Sequence, residues 1–301
     1  MDELKREIDR QIHSNRGKNL FHESAMFSME FIKSRSGLST RLAGLTDEQL
    51  TILADYATQK SLEEFCRINQ YYTFDPKATD ELKGIYIQLF SAIKQQGGPG
   101  TASPEAHYEN LRQWLLKTNP FAGVIYPGMD QDLEPAHCHE YSAGLQLEIL
   151  RLGISNLVEP ILDIGCGKQG NLVQYLRSQG LEAYGIDRFA GSAPYLYQSG
   201  WFEYDYGTLH WGTVISHLGF SNHFVHHHLR NDGDYLKYAA IYMKILASLR
   251  PGGRFYYAPS LPFIEQWLDK TRFNVISHND NPGQYGSSTI EKLSHEAIIK
   301  Q

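Results

Sequence analysis

Residues 161–176, ILDIGCGKQGNLVQYL, decide the fold of this chain. They join a short apolar run, a glycine-containing turn and an amphipathic run, which predicts a strand, a tight turn and a helix. Glycines let the backbone pass close to a ligand, and the unpaired amides of a helix N-terminus point at it. Gly165, Gly167 and Gly170 match the pattern G-x-G-x-x-G, and Asp187 follows at the end of the next apolar run, where a ribose-binding acid belongs.

The glycine pattern alone leaves a dinucleotide-dependent oxidoreductase open, and glycines that serve only a tight turn are a further alternative. Asp163 separates these possibilities, because it lies inside the predicted strand two residues before Gly165. Its carboxylate would repel an approaching pyrophosphate and attract a cationic ligand. The stretch therefore favours a ligand that carries positive charge.

The sequence after residue 160 alternates short apolar runs with amphipathic runs, which is typical of a parallel sheet covered by helices on both faces. We predict strands at 160–165, 182–187, 201–205, 212–216, 253–259 and 273–277, and a returning strand near 285–293 that forms a hairpin with the one before it. Helices are predicted at about 170–179, 190–199, 233–249 and 262–271. The third of these ends before Pro251 and two glycines, which cannot continue a helix.

Three motifs occur in a fixed order along this region: LDIGCG at 162–167, YGIDR at 184–188 and LRPGG at 249–253. Together they resemble the class I S-adenosylmethionine-dependent methyltransferases over roughly residues 140–290. The resemblance implies an α/β, Rossmann-like fold with a doubly wound, seven-stranded, mostly parallel sheet whose last strand is antiparallel. It also implies S-adenosyl-L-methionine as the cofactor.

The resemblance further implies a set of cofactor contacts. The glycine turn would hold the methionine part, Asp187 the ribose hydroxyls, and Arg188 would lie beside the adenine. Asp205 would meet the adenine amino group, although a surface carboxylate in a turn is the alternative for it. The expected cofactor-binding residues are Tyr141, Asp163, Gly165, Cys166, Gly167, Asp187, Arg188, Asp205, Tyr206 and Ser216. Glu140, next to Tyr141, is a further candidate at the pocket.

The chain departs from the family pattern in two places. The third glycine of the family turn is displaced, with Lys168 and Gln169 before Gly170, and only a few residues separate Asp205 from the fourth predicted strand. Neither departure removes a type of ligand-binding residue. Both affect the local geometry of the loops that surround the cofactor.

Six of the thirteen histidines lie in residues 210–230, HWGTVISHLGFSNHFVHHHLR. His217 follows the fourth predicted strand, and ligands of an open α/β sheet bind at the carboxyl ends of its strands. A histidine there can remove a proton from a hydroxyl or amine that attacks a methyl group. We expect His217, or failing it His223 or His227, to be this general base, and we expect His226 and His228 to face outward.

The same histidines raise the alternative of a metal site, or of a solvated face without function. Helical spacing brings up to three imidazoles together but no carboxylate, and HCHE at 137–140 would add ligands only if its loop folded over the site. Divalent ions that assist methyl transfer prefer oxygen ligands. We therefore predict no metal.

Residues 1–133 form the first of two predicted parts, and 134–301 the methyltransferase-like domain. Apolar and charged residues alternate at helical spacing up to about residue 95, Thr46 is placed to cap a helix, and a Gly- and Pro-rich loop at 95–106 precedes another helix. We expect the first part to serve as a lid, a substrate wall or a dimerisation region. Homo-oligomerisation is left open.

Composition limits the partners. A net charge of −6 without long blocks of either sign does not favour nucleic acid, and three scattered cysteines form no disulfide framework. There is no signal-peptide core and no run of about 18 apolar residues. We expect a soluble, cytoplasmic protein with no membrane segment.

These features predict an enzyme that methylates a hydroxyl or amine of a small molecule. The alternatives are a protein or RNA methyltransferase, a cofactor-binding protein without catalysis, and an NAD-dependent oxidoreductase. The cofactor-binding protein without catalysis stays open because no acidic or NPPY-type signature follows the fourth predicted strand.

Overall fold

The structure is a computed structural model that describes residues 1–22, 41–95, 104–133, 141–278 and 286–294. The chain divides into two compact units, Met1–Cys138 and His139–Gln301. The described part of the first unit is helical, as its sequence predicts, and the second contains a seven-stranded sheet with helices. Most of the loop predicted at 95–106, together with Glu140 and the HCHE motif, lies outside the described residues.

The first unit is built from helices whose apolar faces pack together. Thr46 caps the second helix as predicted: its hydroxyl accepts from the amide of Gln49 at 3.2 Å, and the Gln49 side chain accepts from the amide of Thr46 at 3.0 Å. Trp114 donates to the carbonyl of Ala78 at 2.9 Å and so ties the fourth helix to the third. The helices are α1 (Asp2–Ser14), α2 (Asp47–Ile68), α3 (Pro76–Gln95), α4 (Pro104–Thr118) and α5 (Ala122–Ile125).

The second unit alternates strands and helices. Its helices are α6 (Ala143–Ile149), α7 (Asn171–Ser178), α8 (Phe220–His228), α9 (Tyr235–Ser248) and α10 (Pro262–Glu265), and a short 3-10 helix spans Ile154–Asn156. Its strands are β1 (Ile161–Ile164), β2 (Ala183–Asp187), β3 (Leu196–Gln198), β4 (Trp211–His217), β5 (Leu249–Ala258), β6 (Phe273–His278) and β7 (Ser287–Lys292). Alternation of this kind produces parallel strands joined by crossover helices.

The sheet has the strand order β3-β2-β1-β4-β5-β7-β6. All pairs are parallel except those of β7, which runs antiparallel to both β5 and β6. The predicted seven-stranded, mostly parallel sheet with an antiparallel last strand is therefore confirmed. The chain leaves β1 toward β3 and then returns to place β4 on the other side of β1, so the order reverses between β1 and β4.

Side chains alternate between the two faces of the sheet, and each face has its own core. On β4, Val214 belongs to the core with α8 and α9, whereas Ile215 belongs to the core with α7. On β5, Phe255 and Tyr257 lie on the first face, and Tyr256 on the second. Burial on both faces explains why these strands read as continuous apolar runs.

Three predicted elements are wrong. Residues 201–205 are not a strand, and 190–199 are not a helix: the third strand is Leu196–Gln198, inside the second of these ranges. Gly191 and Pro194 interrupt helical pairing there, and the amide of Gly191 instead donates to the carbonyl of Lys168 at 2.9 Å. The predicted helix at 262–271 is a single turn, which stops where the Glu265 carboxylate turns into the core to accept from Tyr257 at 2.6 Å.

Candidate cofactor and active site

The carboxyl ends of β1 and β4 meet at the reversal of strand order, which is where open α/β sheets bind ligands. The loops that follow these two strands come very close together. A Cβ atom on Gly165 would lie 3.6 Å from the Cα of Gly219 and 3.8 Å from the Trp201 ring. Gly165 also has a φ of 82°, which disfavours other residues. The surroundings of Gly165 therefore consist of the Gly219 backbone and the Trp201 ring.

Asp163 is the charged group at the centre of this region. It is only 1% exposed, and its Oδ2 atom has no hydrogen-bond partner among the described residues. Burial, and to a smaller extent the charge of Asp187, raise the pKa of Asp163 to about 7. A buried carboxylate with an unsatisfied oxygen is costly, so a cation or donor that reached it would be bound favourably.

The glycine turn is held in place by the second strand. The amides of Gly165 and Cys166 donate to the carbonyl of Ile186 at 2.8 and 3.1 Å. Asp187 at the end of β2 accepts from the amide of Gly167 at 3.3 Å through one oxygen, and from the amide of Phe189 at 2.8 Å through the other. Asp187 therefore lies directly beside the turn, where the sequence predicts the ribose-binding acid.

Ser216 links the two central strands. Its hydroxyl donates to the carbonyl of Ile164 at 3.1 Å and accepts from the amide of Phe220 at 3.1 Å, and the residue is fully buried. The hydroxyl thus fixes the start of α8 against β1. Leu218 follows His217 and has a φ of 51°, a conformation that is strained for leucine.

His217 ends β4 at the candidate active site. It is 7% exposed, and its Nε2 atom has no hydrogen-bond partner within the described ranges. Burial lowers the pKa of His217 to about 4, so the ring is neutral at neutral pH. Its ring meets the Tyr141 ring edge-on, with 4.9 Å between centroids. An unprotonated imidazole and a phenol thus lie together at the strand end.

His223 is also buried, one turn into α8. Its ring contacts Trp201 edge-on at a centroid distance of 4.7 Å. Trp201 in turn contacts Phe220 and Tyr238. The contact with Trp201 brings His223 near Gly165 and so into the same neighbourhood as the glycine turn.

His227 uses its acceptor nitrogen in a hydrogen bond within the protein. Its Nδ1 accepts from the amide of Asp234 at 3.0 Å, so the neutral ring carries its proton on Nε2 and has no free acceptor nitrogen. Its ring also stacks on Tyr238 at 4.7 Å. Burial and the charge of Arg230 lower the pKa of His227, which keeps the ring neutral. This geometry favours His217 over His227 as a proton acceptor.

The remaining histidines of the cluster lie farther out. His228 is exposed as expected and stacks on Phe263 at 3.7 Å. His226 is partly buried rather than outward-facing; its Nε2 lies 3.1 Å from a guanidinium nitrogen of Arg230, and burial is the main cause that lowers its pKa to about 4. His210 is exposed before β4 and touches Trp211 edge-on.

The predicted adenine contacts are more scattered. Asp205 does not follow a strand: it is exposed and accepts from the amide of Gly207 at 3.0 Å, as a turn residue does. Tyr206 is buried in the core, and its hydroxyl donates to the carbonyl of Trp201 at 3.0 Å. Arg188 follows Asp187 directly, and its guanidinium lies 5.4 Å from the Phe189 ring centroid. The three residues thus occupy different environments.

Cys166 belongs to the glycine turn, and the Tyr141 carbonyl lies 3.5 Å from the side-chain nitrogen of Asn171, the first residue of α7. The carbonyl of Tyr141 accepts from the side chain of Gln146, in the first turn of α6. The Cys166 thiol lies against Gly185 of β2, where an added Cβ would be only 2.7 Å from the sulfur. The lack of a side chain at Gly185 therefore leaves the space that the Cys166 thiol occupies.

Neither a metal centre nor a membrane helix is found among the described residues. No group of three or more His, Cys, Asp or Glu side chains in those ranges is arranged to hold a metal ion. No helix of the same part of the chain is long and apolar enough to cross a bilayer.

The sequence did not predict that Trp201 and Gly219 belong to this region. Trp201 sits in the range taken for the third strand, so its place beside Gly165 was hidden. Gly219 had a readable signal, since a glycine after the fourth strand and before a helix is where a close approach of backbone is needed.

Comparisons with known proteins fall in two groups. No protein-family model and no curated protein matches this sequence. Solved structures match about half of it. The N-methyltransferase NodS from Bradyrhizobium japonicum WM9, in complex with S-adenosyl-L-homocysteine, is 12% identical, with 50% of this chain and 87% of that chain covered and a TM-score of 0.35.

Two RNA-modifying proteins match similarly. An rRNA methylase from Streptococcus thermophilus is 17% identical, with 53% of this chain and 100% of that chain covered and a TM-score of 0.34. The 16S rRNA methyltransferase RsmC from T. thermophilus is 13% identical, with 49% and 39% covered and a TM-score of 0.30. Their substrates say nothing about the substrate of this chain.

The fold is decided by the chain's own sheet. It has seven strands, reverses its order between β1 and β4, and ends with β7 antiparallel between β5 and β6. This is the sheet that the sequence motifs imply. The second unit of this protein therefore has the Rossmann-like fold of the class I S-adenosylmethionine-dependent methyltransferases.

Proposed function

We propose that the second unit binds S-adenosyl-L-methionine and transfers its methyl group to a hydroxyl or amine of a small molecule. The observation that carries the proposal is the carboxylate of Asp163. It is buried where the strand order reverses between β1 and β4, and one of its oxygens has no hydrogen-bond partner among the described residues. A cationic ligand would compensate this charge, whereas the pyrophosphate of NAD would be repelled. The same carboxylate therefore supports the methyl donor over the oxidoreductase alternative.

The other residues of the region fit this ligand. Gly165 gives the turn a backbone conformation with φ of 82°, and Asp187 holds the turn while its carboxylate lies at the end of β2. In this proposal Asp163 and the turn hold the amino acid part, and Asp187 the ribose. Bound S-adenosylmethionine would supply an electrophilic methyl group on a sulfonium. Asp205, Tyr206 and Arg188 stay predictions as adenine contacts, since Asp205 lies in an exposed turn.

His217 is the proposed general base. Its depressed pKa of about 4 keeps the ring unprotonated at neutral pH, so Nε2 can accept a hydrogen bond from the attacking group and orient it. The same low pKa makes it a weaker base than an ordinary imidazole. Acceptors with an acidic proton, such as a phenolic hydroxyl, suit it best.

A small-molecule acceptor is supported by the surroundings of His217. Aromatic rings lie near the strand end, among them Tyr141 and Trp201, and the net charge of −6 does not favour a nucleic acid backbone. The role of residues 1–133 as lid, substrate wall or dimerisation region stays a prediction.

Calorimetric titration of the full chain with S-adenosylmethionine, S-adenosylhomocysteine and NAD tests the cofactor. We expect the first two to bind, and Asp187→Asn to weaken them. Glu148→Gln, which changes an exposed carboxylate of the same unit, is the matched control. Binding of NAD alone would contradict the proposal.

Catalysis is tested separately, by incubating the protein and S-adenosylmethionine with panels of phenols, alcohols and amines and measuring S-adenosylhomocysteine. Product that depends on a small-molecule acceptor supports the enzyme. Cofactor binding without product from any panel, together with product from added protein or RNA, would overturn the substrate class.

A further inference from the structure

The helical unit contains a half-open cavity between α1, α2, α3 and α4. Its volume is about 120 Å³, and its walls are mainly apolar, with Ile8, Ala57, Phe65, Leu89, Phe90 and Leu111 among them. A dry apolar cavity of roughly 150 Å³ is known to bind benzene. This cavity therefore has the size and surface for one ring or a short branched alkyl group. Spaces between bundled helices are common ligand sites.

Polar groups enter the cavity at one wall. His107 lines it and is 8% exposed, and its ring makes no hydrogen bond with any described residue. Burial lowers the pKa of His107 to about 4, so the ring is neutral and offers one N–H donor and one acceptor nitrogen. Because the cavity is half open, water can serve the imidazole, and a ligand hydroxyl that displaced this water could take over its hydrogen bond.

Two hydroxyls lie near His107. The hydroxyl oxygens of Ser61 and Tyr86 are 2.5 Å apart, and the Tyr86 ring lies 5.3 Å from the His107 ring between centroids. Only one of the two hydroxyl hydrogens can lie between the oxygens, so the other is available to an acceptor. Both residues line the cavity. Donor and acceptor capacity is thus concentrated on α2, α3 and α4.

The lining of the cavity carries one negative and one positive side chain, Glu64 and Lys18. Glu64 lines it, but its carboxylate is held by Arg67 at 2.6 Å and by the amide of Gly17 at 3.3 Å. Lys18 brings one positive charge to the lining. Because His107 is neutral, the described residues of the wall that carries the hydroxyls include no buried cation that could bind an anion. A neutral ligand therefore suits the cavity better than a carboxylate or an amine.

We propose that this cavity binds a neutral small molecule that buries one ring or branched alkyl group and places one hydroxyl between His107 and the Ser61–Tyr86 pair. Phenol is the simplest compound with both features. The hydroxyl would donate to the imidazole or accept from it, and exchange a second hydrogen bond with the hydroxyl pair. The apolar walls would take the ring.

The test is ligand-observed NMR on the full chain with phenol, toluene, benzoate and benzylamine at millimolar concentration, and without S-adenosylmethionine. Its outcome is therefore independent of the proposed methyl transfer. We expect phenol to bind about 2- to 10-fold more tightly than toluene, since one hydrogen bond is gained. Both should bind more tightly than the two charged compounds. A preference for benzoate or benzylamine, or no binding of phenol, would overturn the proposal.

Three variants locate the site. Ala57→Leu adds a side chain into the cavity and should abolish binding of phenol and toluene, whereas Gln59→Leu adds the same side chain on the exposed side of α2 and should leave it intact. His107→Phe keeps a ring but removes the nitrogens, so it should lower phenol affinity to that of toluene. Retained binding in Ala57→Leu, or an unchanged phenol-to-toluene ratio in His107→Phe, would refute the assignment.

Discussion

Replacing Asp163 by Asn should stabilise the cofactor-free second unit at alkaline pH and weaken cofactor binding at the same time. The carboxylate is buried beside the glycine turn, and one oxygen has no partner among the described residues. Asparagine has almost the same shape and carries no charge. The variant therefore removes the charge and leaves the packing of β1 in place.

The magnitude follows from the pKa. Burial, with Asp187 as the second cause, raises the pKa of Asp163 from 3.8 to about 7. Each pKa unit corresponds to about 1.36 kcal/mol, so the ionised side chain costs the folded state up to about 4 kcal/mol relative to the unfolded chain. We expect Asp163→Asn to raise the free energy of unfolding by a large part of this amount at about pH 8.

The effect of Asp163 on the free energy of unfolding depends on pH. Between the unfolded and folded pKa values, about 4 and about 7, the folded state binds the proton of Asp163 and the unfolded state does not. This group's contribution to stability is therefore lost progressively as the pH rises from about 4 to about 7, and it changes little above that. His217 acts in the opposite direction, because burial lowers its pKa to about 4, but it is present in both proteins and cancels in their difference.

Hydrogen exchange measured by mass spectrometry is the suitable assay, because peptides from β1 and β4 report the opening of the second unit alone. Wild type, Asp163→Asn and the control Glu148→Gln are compared at about pH 5 and about pH 8, after correction for intrinsic exchange rates. At the lower pH the unfolded chain is already largely ionised at position 163, so we expect wild type and Asp163→Asn to differ by only about 1–2 kcal/mol. At the higher pH the Asn variant should be protected more by up to about 4 kcal/mol, and Glu148→Gln should match wild type.

Saturating S-adenosylmethionine should reverse the order. A cation beside Asp163 stabilises its ionised form, so ligand protection should be larger in wild type than in Asp163→Asn. An Asn variant that is less protected than wild type at pH 8 without ligand would refute the reasoning about burial. Equal protection of both proteins by the ligand would refute the assignment of Asp163 to the cofactor.

Further predictions concern catalysis and packing. His217→Gln should lower turnover about 10²-fold while the calorimetric Kd for S-adenosylmethionine changes little, and unchanged turnover would exclude His217 as the base. Gly212→Ala should lower the free energy of unfolding in urea by about 1–3 kcal/mol or more, because a Cβ would press on the carbonyl of Val158; a neutral effect would show that this loop yields. Tyr257→Phe should cost about 1–3 kcal/mol in the same assay, since it leaves the buried Glu265 carboxylate short of a 2.6 Å hydrogen bond.

The sequence predicted well where a local pattern carries the physical information. Thr46 and Gln49 form a capping box because both lie within one turn, and β1 with its glycine turn is readable because the apolar run and the glycines are contiguous. The third strand was missed because Leu196–Gln198 has only three residues, too short for any period to show. The alternation at 201–205 instead belongs to a turn whose Trp201 packs against Phe220 and Tyr238.

The candidate site divides in the same way. Asp163, Gly165, Gly167 and Asp187 could be picked out from the sequence, because strand ends and a glycine turn fix their positions along the chain. The roles of the histidines could not be separated, since His217, His223 and His227 share one residue type and one stretch. Their differences come from remote partners: Asp234 occupies Nδ1 of His227, Tyr141 meets His217, and Trp201 meets His223.

The sequence by itself determined the strands of the second unit other than β3, together with the glycine turn and the two acids beside it, because these depend on neighbours within a few residues. Only the tertiary structure decided which groups are taken out of water. Burial gives Asp163 a raised pKa and His217 a lowered one, and helix packing places His107 in the wall of the cavity. Desolvation depends on what the rest of the chain places around a group, and no local pattern records it.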